Sequence, residues 1–375
     1  MEAKTPLSFR VHQYHYYARS HDAVTNHMLM IQSALLEIGI SGDIFAHDRD
    51  GVSTVREFKA DRVWDCDLLI IHFSQGNKAL SDLTRLEVPK ALVYHNITPS
   101  KFLAHDVVQA KLSDLGRLQL KSLQGKVQWV FGDSLFNCRE LEQLGFRGAS
   151  VLALLDLSEP HWNRKINRKL RLSPPWTLLF VGRVVPHKNQ AGLIETVQAL
   201  NASGTQAKLK LVGGGDLLYL KYLKGLVKYL GVQDDVEFLG RVSDEARERL
   251  YAESDALVCL SEHEGFCIPI VEAMTHDLII FAQPKTAVIE TLGESGVHLL
   301  TDDPVLNAAT ICTVLKKESV VRDILNSQRQ QLERLKAIHD KEKLQKRIET
   351  LLMSLRHPPQ LRKLSREISY DSNAH

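Results

Sequence analysis

The chain has 375 residues, 44% hydrophobic and 25% charged, with a formal net charge of +2. That length suits two domains of ordinary size, and the balanced charge excludes a protein that gathers nucleic acid through its overall field. No run approaches the roughly 18 apolar residues of a spanning helix, the N-terminus MEAKTPLSFR lacks the apolar core of a signal peptide, and the five cysteines (66, 138, 259, 267, 312) are odd in number without CxxC spacing, so a reduced cytosolic setting is expected, with any membrane role peripheral.

In chain order, the apolar runs Leu7–Val11, Leu68–Phe73, Ala91–Tyr94 and Trp129–Phe131 predict strands, and apolar spacing near 3.6 predicts helices over Ala23–Ile38 and Asp106–Leu123. Tyr14 to Asn26 reads as a loop from the first strand into a helix, with Asp22 or Ser20 as its N-cap; residues at this helix start, His21 and Asp22, are candidate ligand contacts. Asp48-Arg49-Asp50 leads into Gly51 and reads as a turn. Asp65-Cys66-Asp67 precedes its strand, the wrong end for a ligand site. Three segments follow predicted strands: His72-Phe73-Ser74-Gln75-Gly76, Tyr94-His95-Asn96-Ile97-Thr98-Pro99, and Gly132-Asp133-Ser134-Leu135-Phe136-Asn137. Ligands bind doubly wound sheets at such carboxyl ends, so His72, Ser74, His95 and Asn96 are candidates, while Ser134 or Asn137 reads as a helix cap.

A polar, basic stretch from Asn163 to Lys169, closed by Pro174-Pro175, marks the break between two halves. The second half repeats the rhythm: strands at Trp176–Val181, Lys208–Val212, Val236–Leu239, Ala256–Leu260 and Leu278–Phe281, with helices at Gln190–Ala202 and Leu217–Leu230. Alternating β and α implies parallel sheets covered on both faces. The expected division is 1–162, a linker 163–175, 176–340, and a C-terminal helix and tail 341–375. From Lys316 onward the chain carries 14 Lys/Arg against 8 Asp/Glu, so its helices present either a basic face to a membrane surface or an ordinary solvated one.

The chemistry is densest in the second half. Gly182-Arg183 and Lys188 place two cations on one strand-to-helix loop, which suits a diphosphate: arginine offers a fork, lysine a point charge. Leu211-Val212-Gly213-Gly214-Gly215-Asp216 is a glycine turn where backbone can approach a ligand, short of a full G-x-G-x-x-G. Glu264 follows a strand, and Glu272 lies in the next helix, whose first turn tolerates Pro269. Carboxylates for hydroxyls beside free amides for phosphate suit a phosphorylated, polyhydroxylated ligand.

Taken together, Gly182-Arg183 with Lys188, Gly213-Gly214-Gly215, Phe238-Leu239-Gly240-Arg241-Val242, the Glu264/Glu272 pair with Gly265-Phe266, and Ala287 to Gly296 make residues 176–298 resemble the nucleotide-binding half of a retaining glycosyltransferase of family 4 (group 1). The resemblance implies a GT-B fold, with two doubly wound Rossmann-like domains facing a deep cleft and a C-terminal helix crossing back to the N-terminal domain. It implies a nucleotide-sugar donor, UDP- or GDP-linked, on the C-terminal domain. Arg183 and Lys188 would hold its diphosphate, Glu272 the ribose and Glu264 the sugar. Backbone around Gly265, Phe266 and Cys267 would contact sugar or phosphate, and backbone near Arg241 and Val242 would flank the base. His95 resembles the active-site histidine beside the transferred sugar. The implied acceptor is a glycan or polyprenyl-linked glycan, as in surface polysaccharide assembly at the cytoplasmic face of an inner membrane. A nucleotide-sugar epimerase or hydrolase, or a non-catalytic sugar-nucleotide-binding subunit, are the alternatives. No cofactor and no metal are expected. The Asp-x-Asp pairs are misplaced for a metal–diphosphate, Arg183 and Lys188 supply the charge, and the histidines lack zinc-binding spacing. Two departures stand out: His276-Asp277 where the family often has glycine, tolerable because aspartate enters the left-handed region, and Cys267 where it often has glycine.

Overall fold

The computed structural model describes residues 9–20, 22–59, 64–163 and 169–356. The chain divides into two compact units, residues 1–158 together with 336–375, and residues 159–335.

The first unit opens with β1 (Val11–Tyr14), β2 (Tyr17–Arg19), α1 (Ala23–Glu37), β3 (Ile44–Ala46), β4 (Asp48–Asp50) and β5 (Arg56–Glu57). It continues with β6 (Leu68–Phe73), α2 (Leu80–Arg85), β7 (Lys90–Tyr94), α3 (Val107–Ser122), β8 (Trp129–Gly132), α4 (Leu135–Gln143) and β9 (Ser150–Val151). Among the described residues seven of these strands form one parallel sheet in the order β5-β3-β1-β6-β7-β8-β9, and β2 pairs with β4 beside it. The order reverses direction between β1 and β6, which opens a crevice at their carboxyl ends.

Two expectations are corrected here. Among the described residues the first strand is Val11–Tyr14, which meets the expected Leu7–Val11 at Val11 and runs past it, while Leu7 and Ser8 lie outside the described residues. Val11 to Tyr14 pair with Leu68 to Ile71, and the strand is buried although it carries His12 and Gln13. Those polar residues hid it from a reading based on apolar runs. Asp48-Arg49-Asp50 is a short strand, not a turn, pinned by its pairing with Tyr17–Arg19 and by an Arg19–Asp48 contact of 3.2 Å. Asp65 and Asp67 do lie at the amino end of β6, where Arg10 engages both, Asp65 at 2.6 Å and Asp67 through its backbone N–H at 2.8 Å.

The second unit contains β10 (Trp176–Val181), α5 (Gln190–Ala202), β11 (Ala207–Val212), α6 (Leu217–Leu230), β12 (Val236–Gly240), α7 (Asp244–Glu253) and β13 (Ala256–Cys259). Then come α8 (Ile268–Thr275), β14 (Ile279–Ala282), α9 (Val288–Leu292), β15 (Val297–His298), α10 (Pro304–Leu315) and α11 (Glu318–Ile338). Its parallel sheet runs β12-β11-β10-β13-β14-β15, reversing between β10 and β13. A core of Trp176, Leu178, Phe180, Leu209, Val258 and Phe281 fills between sheet and helices. The turn into β14 uses Asp277 at φ +48°, held by a two-pronged contact from Arg329 at 2.8 and 2.9 Å.

The last helix, α12 (Lys341–Arg356), returns to the first unit. Leu344, Ile348 and Leu352, spaced along one face, are buried in a cluster with Phe9, Ile31 and Leu35. Gln345 adds a hydrogen bond to the Ala34 carbonyl at 2.7 Å. Each of those apolar side chains stabilises the unit by about 1.5–3 kcal/mol.

Candidate functional site

In the second unit the loops after β10, β11 and β12 are bonded edge to edge. Gly182 N–H donates to the Val212 carbonyl (2.9 Å), Gly213 N–H to Gly240 (2.7 Å) and Val184 N–H to Gly214 (3.0 Å). This closeness demands glycine. A Cβ on Gly213, at φ +131°, would stand 1.9 Å from the Gly182 carbonyl oxygen, and one on Gly215 2.1 Å from that of Val184. Arg241 lies over the turn, its Nε 3.1 Å from where a Gly214 Cβ would be. Val242, next to it, is half-buried.

Pro186–Lys188 form a short 3-10 turn, and Asn189, at φ +54°, caps α5 by accepting from Gly192 N–H. The turn delivers Lys188 to Glu264, Nζ to Oε1 2.5 Å, with both side chains largely covered. The β10 loop is tied to the β13 loop a second time, by Glu262 N–H on the His187 carbonyl at 2.8 Å. Glu264 is positioned through its own N–H, which donates to Thr286 Oγ1 at 2.9 Å. Arg183 differs from Lys188: its side chain is exposed, and among the described residues no carboxylate pairs with it or with Arg241. The free positive charge beside the glycine turn is therefore carried by two guanidinium groups, while the lysine is neutralised by its neighbour.

Glu272 sits at the buried side of α8. Tyr251 hydroxyl donates to Oε2 at 2.6 Å, and Arg247 Nε stands 3.2 Å from Oε1. Burial raises its pKa, against the pull of Arg247. Both oxygens are thus engaged from α7, by residues four apart on one helix face that the sequence reading did not single out. Their helical spacing behind a conspicuous carboxylate was the signal available.

Gly265 and Phe266 lead into α8, and the Phe266 carbonyl accepts from the Thr291 hydroxyl. Cys267 adopts φ +75° at the N-cap of α8, which accounts for the glycine common at this place in the resembling family. Its Sγ is 3.9 Å from that of Cys259. The hydrogen bond between them and burial push the Cys267 thiol well up, and the same bond lowers Cys259.

In the first unit the carboxyl ends of β1, β6, β7 and β8 converge on histidines. His72 Nδ1 lies 2.8 Å from His95 Nε2, the two rings nearly parallel. His95 Nδ1 is 3.0 Å from Asp133 Oδ2, and the His95 and Asp133 side chains are only 2% and 8% exposed. His15 Nδ1 bonds the His72 carbonyl at 2.9 Å, and Ser74 Oγ approaches His15 Nε2 at 3.4 Å. His27, from α1, packs edge-on against both His72 and His95. Asn96, at φ +60°, donates to Asn137 Oδ1 at 2.9 Å. Asp22 caps α1 by accepting from Thr25 N–H at 3.0 Å, and Ser134 caps α4. His21 lies outside the described residues. Sequence spacing gave no sign that residues 27, 72 and 95 would meet, because the contact is made by strand order.

Both sheets thus carry polar clusters at the carboxyl edge near the reversal of strand order. Residues 163–331 match the family model described as "Glycosyl transferases group 1". Over 140 residues the chain is 32% identical to the GDP-mannose:cellobiosyl-diphosphopolyprenol alpha-mannosyltransferase of Xanthomonas oryzae pv. oryzae (strain PXO99A), covering 36% of each protein. Over 166 residues it is 28% identical to the O-antigen chain mannosyltransferase B of Escherichia coli, covering 40% of each. The chain therefore aligns with well under half the length of these relatives. The Anabaena protein Alr3699/HepE, solved with UDP and glucose, superposes with a TM-score of 0.68 at 18% identity, over 92% of this chain and 100% of that one. The fold is GT-B, built from two Rossmann-like units.

Proposed function

We propose that the protein is a glycosyltransferase that moves a hexose-type sugar from a nucleotide-diphosphate sugar to a glycan or lipid-linked glycan acceptor. One observation carries this most directly: the interlocked glycine turn of the loops after β10, β11 and β12, flanked by Arg183 and Arg241 with no carboxylate partner among the described residues, in the segment that matches the family model. The guanidinium groups take the diphosphate. Lys188 exchanges part of its bond to Glu264 for phosphate as the leaving group gains charge, which frees Glu264 for the sugar hydroxyls. Stabilising a departing diphosphate by fixed cations needs no bound metal. Glu272, oriented by Tyr251 and Arg247, holds the ribose edge, and backbone from Gly265 to Cys267 meets the sugar. Departure of the nucleoside diphosphate from the face that the acceptor hydroxyl enters, with the departing phosphate taking that hydroxyl's proton, would retain the anomeric configuration.

GDP-mannose is the first donor to try, because relatives from Xanthomonas and Mycobacterium tuberculosis are named for it, and UDP-glucose the second, because one Anabaena structure holds it. Acceptors on polyprenyl diphosphate are the first choice after that Xanthomonas relative, and the O-antigen mannosyltransferase of Escherichia coli supports surface polysaccharide assembly as the setting. The test is transfer from a donor panel to such acceptors, with the product anomer read by NMR. Arg183→Ala is expected to lower kcat about a hundredfold or more. Near-normal transfer by that variant would refute the assignment. Sugar epimerisation, or donor hydrolysis with no new glycosidic bond, would point to a different enzyme class, and donor binding with no turnover to a non-catalytic sugar-nucleotide-binding subunit.

A further inference from the structure

We propose that His27, His72 and His95 form a site for a divalent transition-metal ion of the zinc class, within the unit made of residues 1–158 and 336–375. The argument is a count of protons. Each ring commits one nitrogen to a group that can only accept: His27 Nε2 to the Ala153 carbonyl (2.9 Å), His72 Nε2 to Gln13 Oε1 (2.9 Å) and His95 Nδ1 to Asp133 Oδ2 (3.0 Å). The Gln13 amide cannot be turned round, because its Nε2 donates to the Met28 carbonyl at 2.9 Å. All three outer nitrogens must therefore carry hydrogen. A neutral imidazole has a single N–H, so the three inner nitrogens are bare.

Two of those bare nitrogens, His72 Nδ1 and His95 Nε2, face each other at 2.8 Å. Lone pairs at that distance repel unless a cation lies against them. The third, His27 Nδ1, is buried with no hydrogen-bond partner among the described residues. One nitrogen from each ring lies within 4.8 Å of the other two. A tetrahedral zinc with nitrogen ligands at about 2.0–2.1 Å requires them roughly 3.3–3.4 Å apart, so shifts of about 1 Å or less bring the set to geometry. The surroundings are those of a metal centre: each ligand ring is anchored from behind by a carboxylate, an amide or a carbonyl, which fixes the tautomer and aims the lone pair. The competing cation is a proton on His95, paired with Asp133 and shared with His72; the metal titration below separates the two. Because His27 is on α1, His72 on β6 and His95 just after β7, the ion would fasten three elements together.

The test uses the full chain, freed of metal with a chelator and titrated with Zn2+ and with Co2+. One equivalent should bind, raise the melting temperature and, for Co2+, give the ligand-field absorption of a tetrahedral site. His27→Ala and His72→Ala should each lose that equivalent, and Asp133→Asn should bind ten- to a hundredfold more weakly. His161→Ala and the pair Cys259→Ser/Cys267→Ser should bind as wild type; the second control matters because Cys259, Glu264 and Cys267 also cluster. Where a histidine variant is unfolded by circular dichroism, the imidazole 15N shifts of the wild type decide: movement of His27 Nδ1 on adding Zn2+ supports the site. Wild-type protein that binds no equivalent, unmoved ring nitrogens, or binding that follows the cysteine pair would overturn it. These outcomes are read with no donor present, so they stand apart from the proposed transfer although His95 also resembles the histidine beside the transferred sugar.

Discussion

Arg183 and Lys188 are five residues apart and do not share an electrostatic state. Lys188 is held at 2.5 Å by Glu264 in a largely covered pair, whereas Arg183 stands in solvent. Removing one partner of a covered pair strands the other, so Glu264→Ala is expected to destabilise the second unit by about 1–3 kcal/mol and to weaken donor binding, while Arg183→Ala should leave the melting temperature within a degree or two. Thermal melts of the two variants side by side check this. A second prediction concerns Gly213: a Cβ there meets the Gly182 carbonyl at 1.9 Å, so Gly213→Ala must part the loops after β10 and β11. A loss of about 2–4 kcal/mol in chemical denaturation is expected, together with loss of donor affinity by calorimetry. The glycine turn and the cations were legible in the sequence because their residue types have few other uses in that order. The partners of Glu272 and the meeting of His27, His72 and His95 were not, since nothing local to any of them marks the contact.

At the level of elements, the strands that lie inside the sheets were readable as apolar runs because both of their faces are covered. Leu68–Phe73 and Trp176–Val181 have the expected limits, as does the helix Gln190–Ala202. The exceptions have a common cause. Val11–Tyr14 buries His12 and Gln13 with hydrogen bonds of their own, and Asp48–Asp50 is a strand by virtue of its partner alone. Tertiary contacts there override local preference. The helix α12 is the clearest element whose role depends on packing: Ile348 is buried in the cluster with Phe9, Ile31 and Leu35. Ile348→Ala is expected to cost about 2–4 kcal/mol, seen as a lower denaturation midpoint for the first unit and not the second.

For the whole molecule, acid should act on the first unit through His339. This residue is buried, and its Nδ1 accepts from Leu154 N–H at 3.1 Å. Burial lowers its pKa to about 4 from 6.5, against a small opposing pull from Asp133. The folded protein then binds fewer protons than the unfolded chain across that interval. Its contribution is complete above about pH 6.5 and is lost as pH falls toward 4, on the order of 3 kcal/mol. Denaturation midpoints measured between pH 7 and 4 should fall, and more gently in His339→Gln. A slope unchanged by that substitution would assign the acid sensitivity elsewhere.

The return of α12 also bears on the order in which the protein is made. Residues 159–335 are one uninterrupted segment, complete once the ribosome has passed them. The first unit is split, and the pocket around Phe9, Ile31 and Leu35 stays open to water until Leu344, Ile348 and Leu352 are synthesised. The part translated first is thus the part finished last. Over that interval its apolar surface needs shelter, and a ribosome stalled before codon 344 would release a chain whose second unit is folded and whose first is exposed to proteases and chaperones.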